Sequence, residues 1–83
     1  MAFDMSGMRI IVAGGSRGIG RSIALAFAAH GAGVSVCARK AEALEATRDE
    51  LARATSLAHA AACDLSQPAA VRRYVEEAAT ALN

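Results

Sequence analysis

The residues best suited to chemistry in this sequence are the glycines of residues 14–20, which read Gly-Gly-Ser-Arg-Gly-Ile-Gly. Gly14 permits a sharp turn off a strand, Gly18 lets the backbone approach a pyrophosphate, and Gly20 allows a helix to pack closely against a sheet. The N–H groups and the positive dipole end of the following helix would then attract phosphate. A plain strand-to-helix turn is the alternative. The strand before the loop and the helix and second strand after it favour nucleotide binding.

Basic residues follow the second predicted strand, at the position where a dinucleotide-binding fold distinguishes NAD from NADP. An NAD site places an acid about 20 residues beyond the glycines to hold the ribose 2′-hydroxyl. This sequence instead reads Cys-Ala-Arg-Lys at residues 37–40, with no acid. Arg39 can bind a 2′-phosphate with its fork of donors, and Arg17 can approach the same group from the other side. The pattern predicts NADP, the alternative being that Arg39 and Lys40 only form an exposed helix start.

Three strands and three helices must position these residues. The first strand is a short run with β-branched residues that stops at the glycines, and the helix after it is ended by His30 and Gly31. Ser66 is predicted as the N-cap of the third helix, with Pro68 in its first turn. In chain order, the pattern predicts strand 8–13, a helix from residue 19, strand 33–38, helix 41–54, strand 56–63 and a helix to the end of the chain.

The alternation of strands and helices predicts an α/β fold with a parallel sheet covered by helices on both faces. In detail, it predicts the first half of a Rossmann-type, doubly wound sheet with strand order 3-2-1. The third strand is the least certain element, because residues 60–62 are all alanine. Repeating apolar positions predict amphipathic helices. On the first, Ile19, Ile23 and Phe27 recur every four residues, with Leu25 and a set of alanines around them; on the third, Val71, Val75, Ala78 and Leu82 form one stripe.

With these elements in place, the sequence resembles the short-chain dehydrogenase/reductase family, whose first motif is Thr-Gly-x-x-x-Gly-x-Gly. Residues 13–20 match this motif except that Ala13 replaces the threonine, which removes a hydroxyl and weakens one local hydrogen bond. The resemblance extends from Phe3 onward and includes Asp64-Leu65. In the family an acid at the position of Asp64 meets the adenine amino group, and the next residue contributes its backbone; a turn-capping role for Asp64 is the alternative. The implied cofactor contacts are Gly14, Ser16, Arg17, Gly18, Ile19, Gly20, Arg39, Asp64 and Leu65.

The resemblance also implies what this sequence lacks. In the family, hydride transfer depends on a Tyr and a Lys three residues apart, aided by Ser and Asn, because the Lys lowers the pKa of the Tyr. The only tyrosine, Tyr74, is followed by Val-Glu-Glu-Ala, and the only lysine is Lys40. We therefore expect no catalytic residue here, and a packing role for Tyr74.

The function implied by the resemblance is that of the NADP(H)-binding part of a short-chain oxidoreductase. Such an enzyme transfers hydride between NADPH and a carbonyl or alcohol substrate, and 3-oxoacyl or ketone reductases are examples. Residues 1–83 would be the N-terminal half of one dinucleotide-binding domain, inactive alone. A non-catalytic module that binds NADP or acts by association is the alternative.

Composition bounds the remaining expectations. The 83 residues are 54% hydrophobic and 20% charged with a net charge of +1, which argues against disorder and against a nucleic-acid partner. Cys37 and Cys63 are expected to be buried thiols, and His30 and His59 have no partners at metal spacing. No basic N-terminal leader or membrane span is visible, so a cytoplasmic location is expected. The open first strand predicts a homo-oligomer.

Overall fold

The computed structural model describes residues 4–83 and shows strands and helices in strict alternation. The predicted second strand and second helix are confirmed at both ends, and the other elements differ from prediction by a few residues. Phe3, where the family resemblance begins, lies outside the described residues. The elements are β1 (Arg9–Ala13), α1 (Gly18–Ala29), β2 (Gly33–Ala38), α2 (Ala41–Ala54), β3 (Ala58–Ala62) and α3 (Pro68–Ala81).

The three strands form one parallel sheet in the order β1-β2-β3, which is the predicted order 3-2-1 counted from the other edge. Val36 of β2 pairs with Val12 on one side and with Ala60 on the other. The alanine run is therefore a strand, as predicted, although its helix propensity is high. Helix propensity is a weak preference, and pairing with the largely buried central strand overrides it. The fold is α/β and Rossmann-like.

The two faces of β2 belong to two separate parts of the core. Val34 and Val36 face α1 and α2 and join a cluster with Leu44 and Leu51. Cys37 faces α3 and joins a second cluster with Cys63, Tyr74 and Ala78. Because successive side chains of a strand point to opposite faces, helices cover the sheet on both sides, as predicted.

The buried face of α1 is made of alanine rather than of the predicted isoleucines. Ala24 and Ala28 are fully buried, whereas Ile19 is 80% exposed and Ile23 is 44% exposed. Small side chains on the inner face allow the helix to lie close to β1 and β2. The four-residue repeat predicted the helix correctly, and Phe27 packs against the core as predicted, whereas Ile19 and Ile23 are exposed.

Tyr74 of α3 packs into the core against β2, as predicted. It is buried, whereas its neighbour Val75, which was predicted to be buried, is exposed. The Tyr74 side chain is 4% exposed, while Val75 is 45% exposed. The Tyr74 hydroxyl is hydrogen-bonded to Ser35 Oγ, which also contacts His59 Nδ1 at 2.8 Å. His59 Nε2 lies 3.3 Å from Glu77 Oε1. Because the Tyr74 hydroxyl has a hydrogen-bond partner between α3 and the sheet, the ring can be buried there.

The two cysteines are both free and buried, as expected. Burial raises the pKa of the Cys63 thiol, so the neutral form is favoured. Within residues 4–83, none of the helices is long and apolar enough to cross a membrane.

Candidate functional site

A cleft of about 940 Å³ opens where the three strands end. The strands are parallel, so their carboxyl ends meet at one edge of the sheet, and the segments after all three contribute to the cleft. This is the edge at which open α/β sheets bind ligands. The lining residues are Gly14, Ser16, Arg17, Ala38, Arg39, Lys40, Glu42, Ala43, Cys63, Asp64, Leu65 and Ser66.

Six of the nine residues predicted to contact a cofactor line this cleft: Gly14, Ser16, Arg17, Arg39, Asp64 and Leu65. The other three, Gly18, Ile19 and Gly20, form the first turn of α1 and are not among the lining residues. The structure therefore brings together residues from three separate loops, as the parallel topology requires.

The glycine loop depends on backbone conformations and close contacts that other residues would disturb. Gly14 has a φ of 75° and Gly18 a φ of 63°, values that favour glycine. The Gly14 N–H donates to the Cys37 carbonyl at 2.8 Å, which ties the turn to β2. A Cβ on Gly20 would lie 2.7 Å from the Gly14 carbonyl oxygen. The prediction that Gly20 packs against the sheet needs correction, because its close contact is with the turn after β1.

The first turn of α1 has no side-chain cap. Arg17 is the N-cap residue, with an extended backbone, and its side chain makes no capping hydrogen bond. The N–H groups that begin a helix lack partners within the helix. Arg17, which precedes this turn, lines the cleft, and such a helix start can attract an anion.

Charged side chains surround the cleft, and they are mainly basic. Arg17, Arg39 and Lys40 are exposed on its rim. Two acids, Glu42 and Asp64, also line it. Glu42 lies in the first turn of α2 and could not be predicted as a cleft residue from the end of β2, which carries no acid.

Asp64 organises the turn between β3 and α3. Its Oδ1 accepts hydrogen bonds from Ser66 Oγ at 2.7 Å and from Ser66 N–H at 3.0 Å. These bonds, helped by the charge of Arg39, lower the pKa of Asp64 below its usual value of 3.8. The carboxylate is therefore negatively charged at neutral pH.

The position of Ser66 corrects the prediction that it caps α3. Gln67 is the N-cap residue, and it makes no side-chain capping bond. The Ser66 hydroxyl donates to Asp64 and so stabilises the turn between β3 and α3 instead of capping the helix. The turn-capping alternative for Asp64 is thus present in the structure, and it leaves a role toward a ligand open.

Two further residues support the cleft and were missed. A Cβ on Gly15 would lie 2.6 Å from Val36 Cγ1, so this glycine lets the loop lie directly on β2. Thr47, on the buried face of α2, donates toward the carbonyl oxygen of Ser16 at 3.2 Å. The sequence does contain an indication of Thr47: it is a polar residue on the apolar helix face formed by Leu44 and Leu51.

Among the described residues, no cluster suited to a metal is found, and Tyr74 is not among the residues that line the cleft. Within residues 4–83, no three His, Cys, Asp or Glu side chains lie together as metal ligands. Burial raises the pKa of Tyr74 to about 12, and its hydroxyl is held by Ser35 away from the cleft. The cleft can therefore hold an anionic, extended ligand, but the tyrosine of this chain cannot serve it as an acid.

Comparison with known proteins agrees with this geometry. Residues 8–83 match the family model described as short chain dehydrogenase. A rhamnolipid-biosynthesis 3-oxoacyl-[acyl-carrier-protein] reductase from Pseudomonas aeruginosa is 42% identical over 74 residues, covering 89% of this chain and 28% of that protein.

Solved structures show the same similarity in three dimensions. The RhlG/NADP active-site complex from Pseudomonas aeruginosa has a TM-score of 0.83 and 38% identity, covering 94% of this chain and 30% of that one. The L-sorbose reductase from Gluconobacter frateurii, complexed with NADPH and L-sorbose, has a TM-score of 0.86 and 30% identity, covering 96% of this chain and 31% of that one. This chain spans less than a third of the length of each of these proteins. From residue 8 to residue 83, the chain belongs to the short-chain dehydrogenase family.

Proposed function

We propose that the cleft binds NADP(H), and that residues 1–83 are the N-terminal half of the dinucleotide-binding domain of a short-chain oxidoreductase. The observation that carries the proposal is the meeting of the glycine loop, the uncapped start of α1 and Arg39 at one edge of a parallel sheet. Each feature alone has a structural explanation. Together they match the distribution of charge along a dinucleotide phosphate.

The glycine loop fits the pyrophosphate. Glycines at positions 14, 15 and 20 hold the turn close to β2 and to the start of α1, where a Cβ would collide at Gly15 and Gly20. A Cβ on Gly18 would meet no atom within 4 Å, so the space beside it is open to a ligand. The N–H groups of the first turn of α1 would donate to the phosphate oxygens.

Arg39 and Arg17 fit the 2′-phosphate that distinguishes NADP from NAD. Both are exposed and line the cleft from different loops, and Lys40 adds a third cation. Glu42 opposes them with one negative charge and reduces the preference without removing it. The similar proteins solved with NADP and NADPH support the same choice of cofactor.

The adenine would lie near the end of β3. The Asp64 carboxylate is ionised and can accept a hydrogen bond from the adenine amino group while it still holds Ser66. Leu65 is 50% exposed and can contribute its backbone and an apolar contact. Ser16 and Ile19 complete the proposed contacts through the backbone of the loop and of the first turn of α1.

When bound, NADPH supplies a hydride that can reduce a carbonyl. The residues of this chain are proposed to hold and orient the cofactor. None of residues 4–83 is proposed to donate a proton to a carbonyl that is reduced or to accept one from an alcohol that is oxidised. Tyr74 does neither, because its hydroxyl is buried against Ser35. We therefore expect the 83-residue chain to bind the cofactor without catalysing reduction.

Mapping the binding site on the chain tests this proposal. On addition of NADPH, the backbone amide NMR signals of residues 14–20, Arg39 and residues 64–65 should shift most. Signals from the groove between β1 and α3, which includes Ile11 and Val75, should shift least. Shifts confined to that groove would place the ligand elsewhere and contradict the proposal.

We propose that a second copy of the chain binds at the open edge of β1. Within the described residues, β1 pairs only with β2, so its other edge has free N–H and C=O groups. Met8, Ile11 and Val75 are 49%, 42% and 45% exposed. Open strand edges and apolar patches favour association.

Sedimentation velocity at several concentrations should show oligomers, and Ile11→Lys should shift the distribution toward monomer. The cleft-side change Lys40→Gln is the matched control and should not alter the distribution. A compact monomer at every concentration, with one cooperative unfolding transition, would argue against self-association.

A further inference from the structure

We propose that Thr47 is a positioning residue for the cofactor: its hydroxyl holds the glycine loop in the conformation that accepts the pyrophosphate. This inference rests on the proposed function and adds to it a residue outside the loop and outside the cleft lining. Thr47 lies on α2, is 1% exposed, and donates its hydroxyl toward Ser16 O on the neighbouring loop at 3.2 Å.

Packing alone does not explain a threonine at this position. Leu44 and Leu51 lie on the same face of α2 and are buried in the apolar cluster above the sheet. Among the described residues, Ser35 and Thr47 are the buried polar side chains. Ser35 is hydrogen-bonded to Tyr74 and His59 on the other face of the sheet. A valine would fill the same volume on α2 as Thr47 without the cost of burying a hydroxyl.

The Thr47 hydroxyl has a local partner and still reaches the loop. Its Oγ1 lies 3.2 Å from the carbonyl oxygen of Ala43, one turn earlier, and 3.2 Å from that of Ser16. The Ala43 contact is the usual way in which a helical threonine satisfies its hydroxyl. The single hydroxyl proton is shared between the two carbonyl oxygens, and the contact with Ser16 joins α2 to a loop that is 31 residues away in sequence.

The consequence for the loop follows from the planarity of the peptide bond. In a trans peptide the C=O and the next N–H point in opposite directions, so a carbonyl of Ser16 held toward α2 directs the Arg17 N–H away from α2. The same contact keeps the Ser16 oxygen from turning toward a phosphate, which it would repel. Arg17 begins α1 without a side-chain cap, so no other side chain at that position fixes the peptide.

The test compares Thr47→Val, Thr47→Ser and Glu50→Gln. Valine keeps the shape and removes the hydroxyl, whereas serine keeps the hydroxyl. Glu50 is paired with Arg21 between α2 and α1, whereas Ser16 O is held by Thr47, so the change at Glu50 loosens the same helix pair without releasing Ser16. Thr47→Val should weaken the binding of NADPH and of NADH about three- to tenfold each. The ratio of the two affinities should not change, because the pyrophosphate is common to both cofactors. Thr47→Ser and Glu50→Gln should bind within about twofold of the parent chain.

A second readout needs no cofactor. In the ligand-free chain, the Arg17 and Gly18 amides should exchange with solvent several-fold faster in Thr47→Val than in Thr47→Ser or Glu50→Gln. Equal exchange and equal affinity in Thr47→Val and the parent would overturn the inference, as would an equal loss in Glu50→Gln. If the parent chain binds neither cofactor, the proposed function fails, while the exchange rates still decide whether Thr47 holds the loop.

Discussion

Replacing Arg39 with alanine is expected to weaken NADPH binding at least tenfold and to leave NADH binding within about twofold. A hydrogen bond to a charged group contributes about 1.5–3 kcal/mol, and 1.4 kcal/mol corresponds to a factor of ten in affinity. Arg39 is exposed on the rim of the cleft, so solvent screening places the effect at the lower end of this range. NADH has no 2′-phosphate and therefore loses no such contact.

The neighbouring cation provides the matched control. Lys40→Gln removes one charge from the same rim but not the planar fork of donors that suits a phosphate. It should weaken NADPH binding by about twofold to threefold at low salt, and less at high salt. Arg39→Asp should go further than alanine and favour NADH, since a carboxylate repels the 2′-phosphate and accepts a bond from the ribose hydroxyl. An equal loss of both cofactors in Arg39→Ala would show that Arg39 does not read the 2′-phosphate.

Replacing Gly20 with alanine is expected to destabilise the fold by about 1–3 kcal/mol and to reduce the affinity for both cofactors at least tenfold. The new methyl group would lie 2.7 Å from the Gly14 carbonyl oxygen, so the turn after β1 must move. In a helix with open space, the same change would stabilise by up to about 1 kcal/mol, because alanine is the better helix former. A loss of stability in Gly20→Ala would therefore indicate the close contact with the Gly14 carbonyl, whereas a gain would indicate open space. Urea unfolding and cofactor titration measure the two effects.

Ser22→Ala is the control for this change, because Ser22 is exposed on the same helix two residues later. It should unfold and bind like the parent chain. A Gly20→Ala variant that is more stable than the parent and binds normally would mean that α1 does not lie against the turn in the way described.

The chain order of the elements and the parallel sheet could be predicted because they rest on strong local signals. The loop glycines separate a short apolar run with β-branched residues from a repeat of four residues, and Gly31 marks the end of α1. The third strand was predicted from its place between two helices rather than from its alanines. Six of the nine proposed site residues line the cleft, since a parallel sheet brings the segments after its strands to one edge.

The details that could not be predicted depend on contacts between distant segments. The inner face of α1 is alanine because the helix lies close to the sheet, a distance that a hydrophobic repeat does not report. Tyr74 displaces Val75 from the core because Ser35, distant in sequence, provides a partner for its hydroxyl. Ser66 is drawn to Asp64 instead of capping α3. Glu42 lines the cleft because it is in the first turn of α2, and Thr47 contacts the glycine loop because the middle of α2 lies beside it.

The central claim is that the cleft at the strand ends recognises the phosphorylated adenosine end of NADPH. Its most direct test is calorimetric titration of the unaltered chain with NADPH and with NADH at one salt concentration. The account predicts saturable binding of one cofactor per chain, with NADPH at least tenfold tighter than NADH. Equal affinity for the two cofactors, or no saturable binding of NADPH up to near-millimolar concentration, would contradict it.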